Sequence, residues 1–424
     1  MNYTKHKLNN GLRVILAPLE STETVTVLFL VNTGSKNESQ ENNGISHFLE
    51  HMFFKGTVKR PSTFAISETL DKVGGIYNAF TGKEYTGFYV KLAHFHLSLA
   101  LDVLSDILLN SQMNEKDIEK EKKVILEEIK LYQDTPTVYV GELFEQLLYK
   151  GTPAGWDVIG TKENVSSFKR KGFVDYLKKH YSSKNSVLVV SGKIDSQKTL
   201  RLIKDYFNNY PKQITKDRDP IKESQLKASS LIHFKQTDQT HLCLGVRSYD
   251  IFSQKRYALA LLETILGGGM SSRLFINIRE KEGLCYYIGS NQESYTDTGC
   301  LMVQAGISHQ NIEKVIKLIL KEFKRLKEDL VDKKELNKVK DYIKGITLLA
   351  LETSDSVAAF LGRQELLKAK IQLPEEVFEE LNKITPQDIR VIAREIFIEK
   401  HLNLSIIAPK KEIPQLINDY LIFK

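Results

Sequence analysis

Short apolar runs rich in valine, leucine and threonine alternate along this chain with longer segments of helical period. Residues 12–16 and 25–31 predict strands. A glycine-containing loop follows, then predicted helices at 44–54 and 64–73. Residues 76–80 and 85–92 predict two strands about the turn Thr81-Gly82-Lys83. Over 97–110 the apolar positions Leu97, Ala100, Leu101, Leu104, Ile107 and Leu108 repeat with helical period. Residues 115–132 predict a long charged helix with Ile118, Ile125 and Ile129 on one side. Further helices run to His180, and 186–190 predicts the strand that closes this half.

Residues 211–227 are charged and nearly free of apolar clusters, which suits a linker. Beyond them the same grammar restarts: a strand at 242–246, a helix, a glycine turn, more strands and a late strand at 404–407. Matched strands keep a nearly constant offset, so the pattern predicts an internal duplication of about 210 residues. The expected fold class is α+β: two duplicated α/β units, each a mainly antiparallel sheet with helices packed on it, together forming a clamshell. The expected domains are residues 1–212, a linker at 213–228, and residues 229–424.

Composition narrows the class. The 424 residues are 42% apolar and 27% charged, ordinary for a globular protein and unlike a disordered chain. No apolar run approaches the ~18 residues of a membrane span. The first ten residues are polar and lack the apolar core of a signal peptide. Three cysteines, Cys243, Cys285 and Cys300, form no CxxC pair, so neither a disulfide framework nor a cysteine zinc site is expected. A cytoplasmic location fits. The net charge of +7 is spread thinly. Lysines within 169–171 and 333–340 read as solvated helix faces rather than a nucleic-acid track, and no membrane partner is expected.

The sharpest chemical feature is His47-Phe48-Leu49-Glu50-His51. On a helix, positions i and i+4 lie one turn apart on one face, so both imidazoles can point at one ion. Glu50 lies on the adjoining part of that face, beside the ion but not bound to it. Two imidazoles and one carboxylate form a recurrent catalytic zinc set with a position left for water. Zinc lowers the pKa of such a water to around 7, and a nearby carboxylate can take its proton. The order H-x-x-E-H is the inverzincin signature. Its bland reading is a helix with two structural histidines. A third ligand must come from elsewhere, and the helix after Glu115 offers Glu119, Glu121, Glu127 and Glu128. Glu121 and Glu128 are seven apart, about two turns, hence on one face.

The stretch GISHFLEHMFFKGT at 44–57, followed by EKEKKVILEEI at 119–129, resembles the pitrilysin/insulinase family of zinc metallopeptidases. It is most similar to the branch holding mitochondrial processing peptidase and its bacterial relatives. The resemblance implies that Glu128 is the third ligand, and that one zinc is held per chain by His47, His51 and Glu128. It implies that Glu50 is the general base. The family's supporting glutamate, seven residues earlier, falls on Glu121, expected to orient a histidine ligand or the zinc water.

The second half lacks H-x-x-E-H. It carries three glycines at 267–269, then Met270-Ser271-Ser272-Arg273-Leu274, with no GK[ST] to make a phosphate loop. By residue type alone Arg279 is a surface residue and Tyr286 a core residue. The family, however, places an arginine and a tyrosine seven apart in this half, where they bind the peptide near the scissile bond. Arg279 and Tyr286 match that spacing, and Tyr287 is expected to point elsewhere. A phenol can stabilise a developing oxyanion and a guanidinium can hold a carbonyl. Asn78, Ala79, Phe80 and Thr81 resemble the family's edge strand, to which a peptide backbone adds as an extra strand.

One departure matters. The noncatalytic subunit of the mitochondrial enzyme has a long glycine-rich insertion before its equivalent of Met270, and here Gly269 runs straight into Met270. That argues against presequence processing by a two-subunit enzyme. The resulting expectation is a zinc endopeptidase acting on unfolded peptides, working as a homodimer. The rivals are a noncatalytic scaffold of the same fold and a protein that binds peptides without cutting them.

Overall fold

The computed structural model describes residues 1–213, 218–222, 224–368, 370–410 and 420–423. These fall into two compact units, each built round one sheet.

The first sheet contains β1 (Thr4–Lys7), β2 (Arg13–Pro18), β3 (Thr24–Val31), β4 (Ile76–Thr81), β5 (Thr86–Ala93) and β6 (Ser186–Gly192), in the order β1-β2-β6-β3-β5-β4. The second contains β7 (Ser229–Phe234), β8 (Thr240–Arg247), β9 (Cys285–Ser294), β10 (Gly299–Ile307) and β11 (Asn403–Ala408), in the order β7-β11-β8-β10-β9. Without β1, the first order maps strand for strand onto the second. In each sheet one pair is parallel, β2 with β6 and β7 with β11, and the other pairs are antiparallel. The duplication expected from the strand pattern is therefore present as topology. β1 lies in the polar start and β7 just after the charged segment, and neither was expected from the pattern.

The central strands are apolar on both faces, so both faces need cover. In β3, Val25, Val27, Phe29 and Val31 face one core with the helices Ile45–Phe53 and Leu97–Asn110. Leu28 and Leu30 face the other way, onto Val357, Ala358 and Leu361 of the helix Ser354–Leu367. Gly362 lets that helix approach, since a Cβ there would lie 2.8 Å from Leu30 Cδ1 and 3.0 Å from Val189 Cγ2. The second sheet is covered in the reciprocal way. Leu242, Leu244 and Val246 face the larger core, while Cys243, Cys300 and Met302 pack on Val140, Leu143 and Phe144 of the helix Pro136–Leu148.

Each unit thus takes a helix from the other half of the sequence. The first comprises residues 1–129, 156–219 and 347–373, and the second 130–155, 220–346 and 374–424. Contiguous blocks at 1–212 and 229–424 each hold one whole sheet, whereas the compact units are discontinuous in sequence and each includes a helix from the other block. The reason is physical: a sheet buried on both sides accepts any apolar helix face that reaches it, whatever its place in sequence.

The 213–228 segment contains a boundary between the two units, at residues 219 and 220. Its residues 214–217 and 223 lie outside the described residues, but its remainder is anchored to folded structure. Arg218 donates to Glu84 O at 3.1 Å, the Ile221 N–H donates to Asp297 at 3.1 Å, and Gln225 donates to Leu402 O at 3.3 Å. Within 333–340, Lys340 is not solvated: it is buried and donates to Asn382 O and Ile384 O at 2.9 and 2.6 Å.

Candidate metal centre

The helix Ile45–Phe53 buries Ile45, Phe48, Leu49, Met52 and Phe53, which leaves His47, Glu50 and His51 on its half-buried side. Its start is fixed twice. Gly44 has φ 99°, and a Cβ there would meet Ile159 O at 2.7 Å. The buried Glu38 carboxylate accepts the N–H groups of Gly44 and Ser46, both at 2.8 Å, satisfying first-turn donors the helix cannot. No sequence signal pointed to Glu38.

Glu128 comes from the helix Glu115–Gln133, whose buried positions are Ile118, Glu121, Ile125 and Ile129. Glu121 thus sits within an apolar stripe, and Glu128 stands two turns on, half-buried. His47 Nε2 lies 3.7 Å from Glu128 Oε1, and His51 Nε2 lies 3.6 Å from Glu128 Oε2. One ligand atom from each of the three residues falls within 4.8 Å of the other two. Nitrogen and oxygen donors bound to zinc at about 2.0–2.1 Å stand roughly 3.3 Å apart in tetrahedral geometry. The donor set and its spacing fit that ion.

The imidazoles are prepared for a metal. Burial, with His51 close by, pushes His47 down to about 3, so its ring is neutral and keeps a lone pair. His51 donates from Nδ1 to Glu121 Oε1 at 2.8 Å, which orients the ring with Nε2 toward Glu128. Lys55 Nζ lies 2.7 Å from the other Glu121 oxygen. Burial pushes Glu121 up, but the hydrogen bonds from His51 and Lys55 outweigh it and hold the carboxyl below the usual range. Burial raises Glu128.

Glu50 accepts a hydrogen bond from Thr81 Oγ1 at 2.6 Å, while burial raises its pKa against that donor. Thr81 ends β4, the outermost strand on its side of the sheet. Along β4, Asn78 and Phe80 are exposed and Ala79 is buried, and Asn78 Oδ1 accepts the Ala79 N–H at 2.9 Å.

Arg279 and Tyr286 belong to the second unit. Arg279 lies in a π-helical turn, Phe275–Glu280, with its guanidinium 4.7 Å from the Phe275 ring centroid. Tyr286, on the edge strand β9, is 75% exposed, so the core role suggested by residue type is wrong. Tyr287 turns away and pairs with His241 Nδ1 at 3.0 Å.

Comparison with known proteins bears directly on this arrangement. The family model "Insulinase (Peptidase family M16)" matches residues 13–162, and "Peptidase M16 inactive domain" matches residues 167–343. An "uncharacterized zinc protease YmxG" of Bacillus subtilis is 35% identical over 410 residues, 97% of this chain and 99% of that one. The chain belongs to the M16, or insulinase, family.

This M16 protein shares its fold with a protease from Helicobacter pylori at a TM-score of 0.90 and 24% identity, covering 96% of this chain and 99% of the other. The crystal structure of a "peptidase M16 inactive domain" from Pseudomonas fluorescens aligns at 0.89 and 17% identity, over 97% and 98% of the two chains. Zinc is named for the Bacillus relative, and His47, His51 and Glu128 are the residues of this M16 chain that would suit such an ion. No helix among the described residues is long and apolar enough to cross a membrane.

Proposed function

We propose that this M16 peptidase is a zinc-dependent endopeptidase that hydrolyses unfolded peptides, with Glu50 as general base. One observation carries the reading: two imidazoles and Glu128 converge with ion-sized spacing, and an independent carboxylate lies on the same helix face. A zinc ion bound there supplies Lewis-acid polarisation of a carbonyl and activation of a water. The chain's own groups do the rest. Glu50 takes the proton of the attacking water and returns it to the leaving amine. Thr81 holds one Glu50 oxygen, which leaves the other for that proton. The edge of β4 at Asn78, Ala79, Phe80 and Thr81 receives the peptide backbone, with the Asn78 side chain giving up the Ala79 N–H as it does so. Backbone pairing of this kind favours extended, unfolded segments. The exposed phenol of Tyr286 donates to the developing oxyanion, and Arg279 holds a substrate carbonyl. A homodimer working in the cytoplasm completes the proposal.

A peptide mixture incubated with the zinc-loaded protein and read by mass spectrometry, with and without chelator, tests it. Chelator-sensitive cleavage supports the endopeptidase. Binding of peptides with no cleavage in either arm would leave the non-cutting binder, and neither binding nor cleavage would leave the scaffold.

A further inference from the structure

The two histidines are held in different ways. His47 Nδ1 is buried without a hydrogen-bond partner, so packing alone orients that ring. The His51 ring is oriented by a hydrogen bond to Glu121 Oε1 at 2.8 Å. Glu121 reaches His51 through a flexible side chain from another helix, so its carboxylate must itself be fixed. Its second oxygen, Oε2, is 2.7 Å from Lys55 Nζ. Glu121 is only 4% exposed, and its side chain is deeper than that of Lys55. Solvent offers Oε2 little in place of the ammonium.

From this geometry we infer that Lys55 is a positioning residue of the metal centre, acting on zinc through Glu121 and His51. It stands four residues after His51, just past the end of the motif helix, with its N–H donating to Met52 O at 3.2 Å. From there the ammonium reaches back to the carboxylate. Each Glu121 oxygen then has one partner, and rotation about the last side-chain torsion would break both contacts. Loss of Lys55 frees that rotation, loosens the His51 ring and weakens the ligand without removing any donor atom. Lys55 pairs with Glu121 and not with any of the three ligand residues, so the effect is indirect.

The test is zinc affinity, measured by competition with a chelator of known strength, on wild type, Lys55→Met and Lys55→Arg. Methionine keeps the apolar stem and removes the charge; arginine restores a cation that can reach the carboxylate. Outer partners of metal ligands typically change affinity 10–100-fold. Lys55→Met is expected to weaken zinc binding by about that factor, and Lys55→Arg to recover most of it. The melting temperature of each metal-free protein is read in parallel. A Lys55→Met protein with wild-type zinc affinity overturns the inference. So does one whose melting temperature falls while affinity holds, since that marks a purely structural ion pair. If Lys55→Met does not fold, Lys55→Gln, which keeps a donor but no charge, takes its place under the same criteria. The inference rests on the zinc-site reading, and the two fail separately. A wild-type protein that takes up no zinc sinks both, whereas zinc held equally by wild type and Lys55→Met sinks only the role of Lys55.

Discussion

Thr81 donates its hydroxyl hydrogen to Glu50 Oε2 at 2.6 Å, joining the last residue of edge strand β4 to the helix that carries both histidines. Position of the base and position of the strand are therefore linked. Thr81→Val keeps the β-branched shape and removes the donor. A hydrogen bond to a charged group contributes about 1.5–3 kcal/mol, so turnover should fall by roughly tenfold to a hundredfold. Zinc content and melting temperature should stay near wild type. Steady-state kinetics on one quenched peptide checks this, and unchanged turnover would mean the contact holds the strand and not the base.

Glu50 faces the ion site without belonging to the group of converging ligand atoms. Glu50→Gln should accordingly retain zinc while losing proton transfer, worth about 10²–10⁴ in rate. Elemental analysis and turnover are read on the same preparation. Stoichiometric loss of zinc from this variant would make Glu50 a ligand or a structural support instead.

Removal of a ligand is a different experiment. With His51→Ala, only His47 and Glu128 remain, and two donors hold zinc weakly where a closed protein site uses three or four. His47→Ala leaves the equivalent pair. Both variants should elute from gel filtration without metal. Full zinc occupancy in either would remove that histidine from the site.

The motif helix was legible because its apolar residues leave His47, Glu50 and His51 on one side, and a helical period cannot hide that. Glu128 was not legible on its own. Glu119, Glu121, Glu127 and Glu128 all lie on one charged helix, and periodicity cannot distinguish a ligand from a solvated acid. Only the family resemblance chose among them. Contacts that depend on tertiary packing left still less trace. The Lys55–Glu121 pair crosses from the end of one helix to the middle of another. The exchanged helices, Pro136–Leu148 and Ser354–Leu367, carry nothing in their sequence that says which sheet they cover. Strand β7 was missed because its sequence SSLIHF is only half-buried and reads as the tail of the charged segment.

A buried histidine that is not among the proposed ligand or catalytic residues gives a stability prediction with a definite sign. His180 ends the helix Arg170–His180, is 3% exposed and lacks a hydrogen bond at either ring nitrogen. Burial, with Lys179 adding to it, lowers its pKa to about 4. The unfolded chain then binds a proton between about pH 6.5 and 4 that the folded chain refuses, so stability falls as pH falls through that window. The contribution is about 2–4 kcal/mol in total. His180→Phe keeps a ring against Tyr176 and has no proton to bind. Denaturant unfolding at pH 7.5 and pH 4.5 should show a smaller loss for the variant than for wild type. Parallel losses would show that His180 is protonated without penalty in the folded state.

The sharpest test concerns the half of the chain without the zinc motif. Tyr286 is on an edge strand with three quarters of its surface in solvent, an expensive place for a ring whose task is packing. An exposed phenol there makes sense if it meets a substrate. Tyr286→Phe deletes one hydroxyl and preserves the ring. It should keep zinc and melting temperature, because the ring supports little of the core. Loss of one preorganised oxyanion donor typically costs about 10²–10³ in turnover. A loss of that size in kcat, with KM nearly unchanged, would assign the hydroxyl to the transition state and not to ground-state binding. Rise of KM alone would make Tyr286 a peptide-binding residue. Wild-type values of both would remove it from the reaction, and with it the main reason to think the second unit contributes to catalysis.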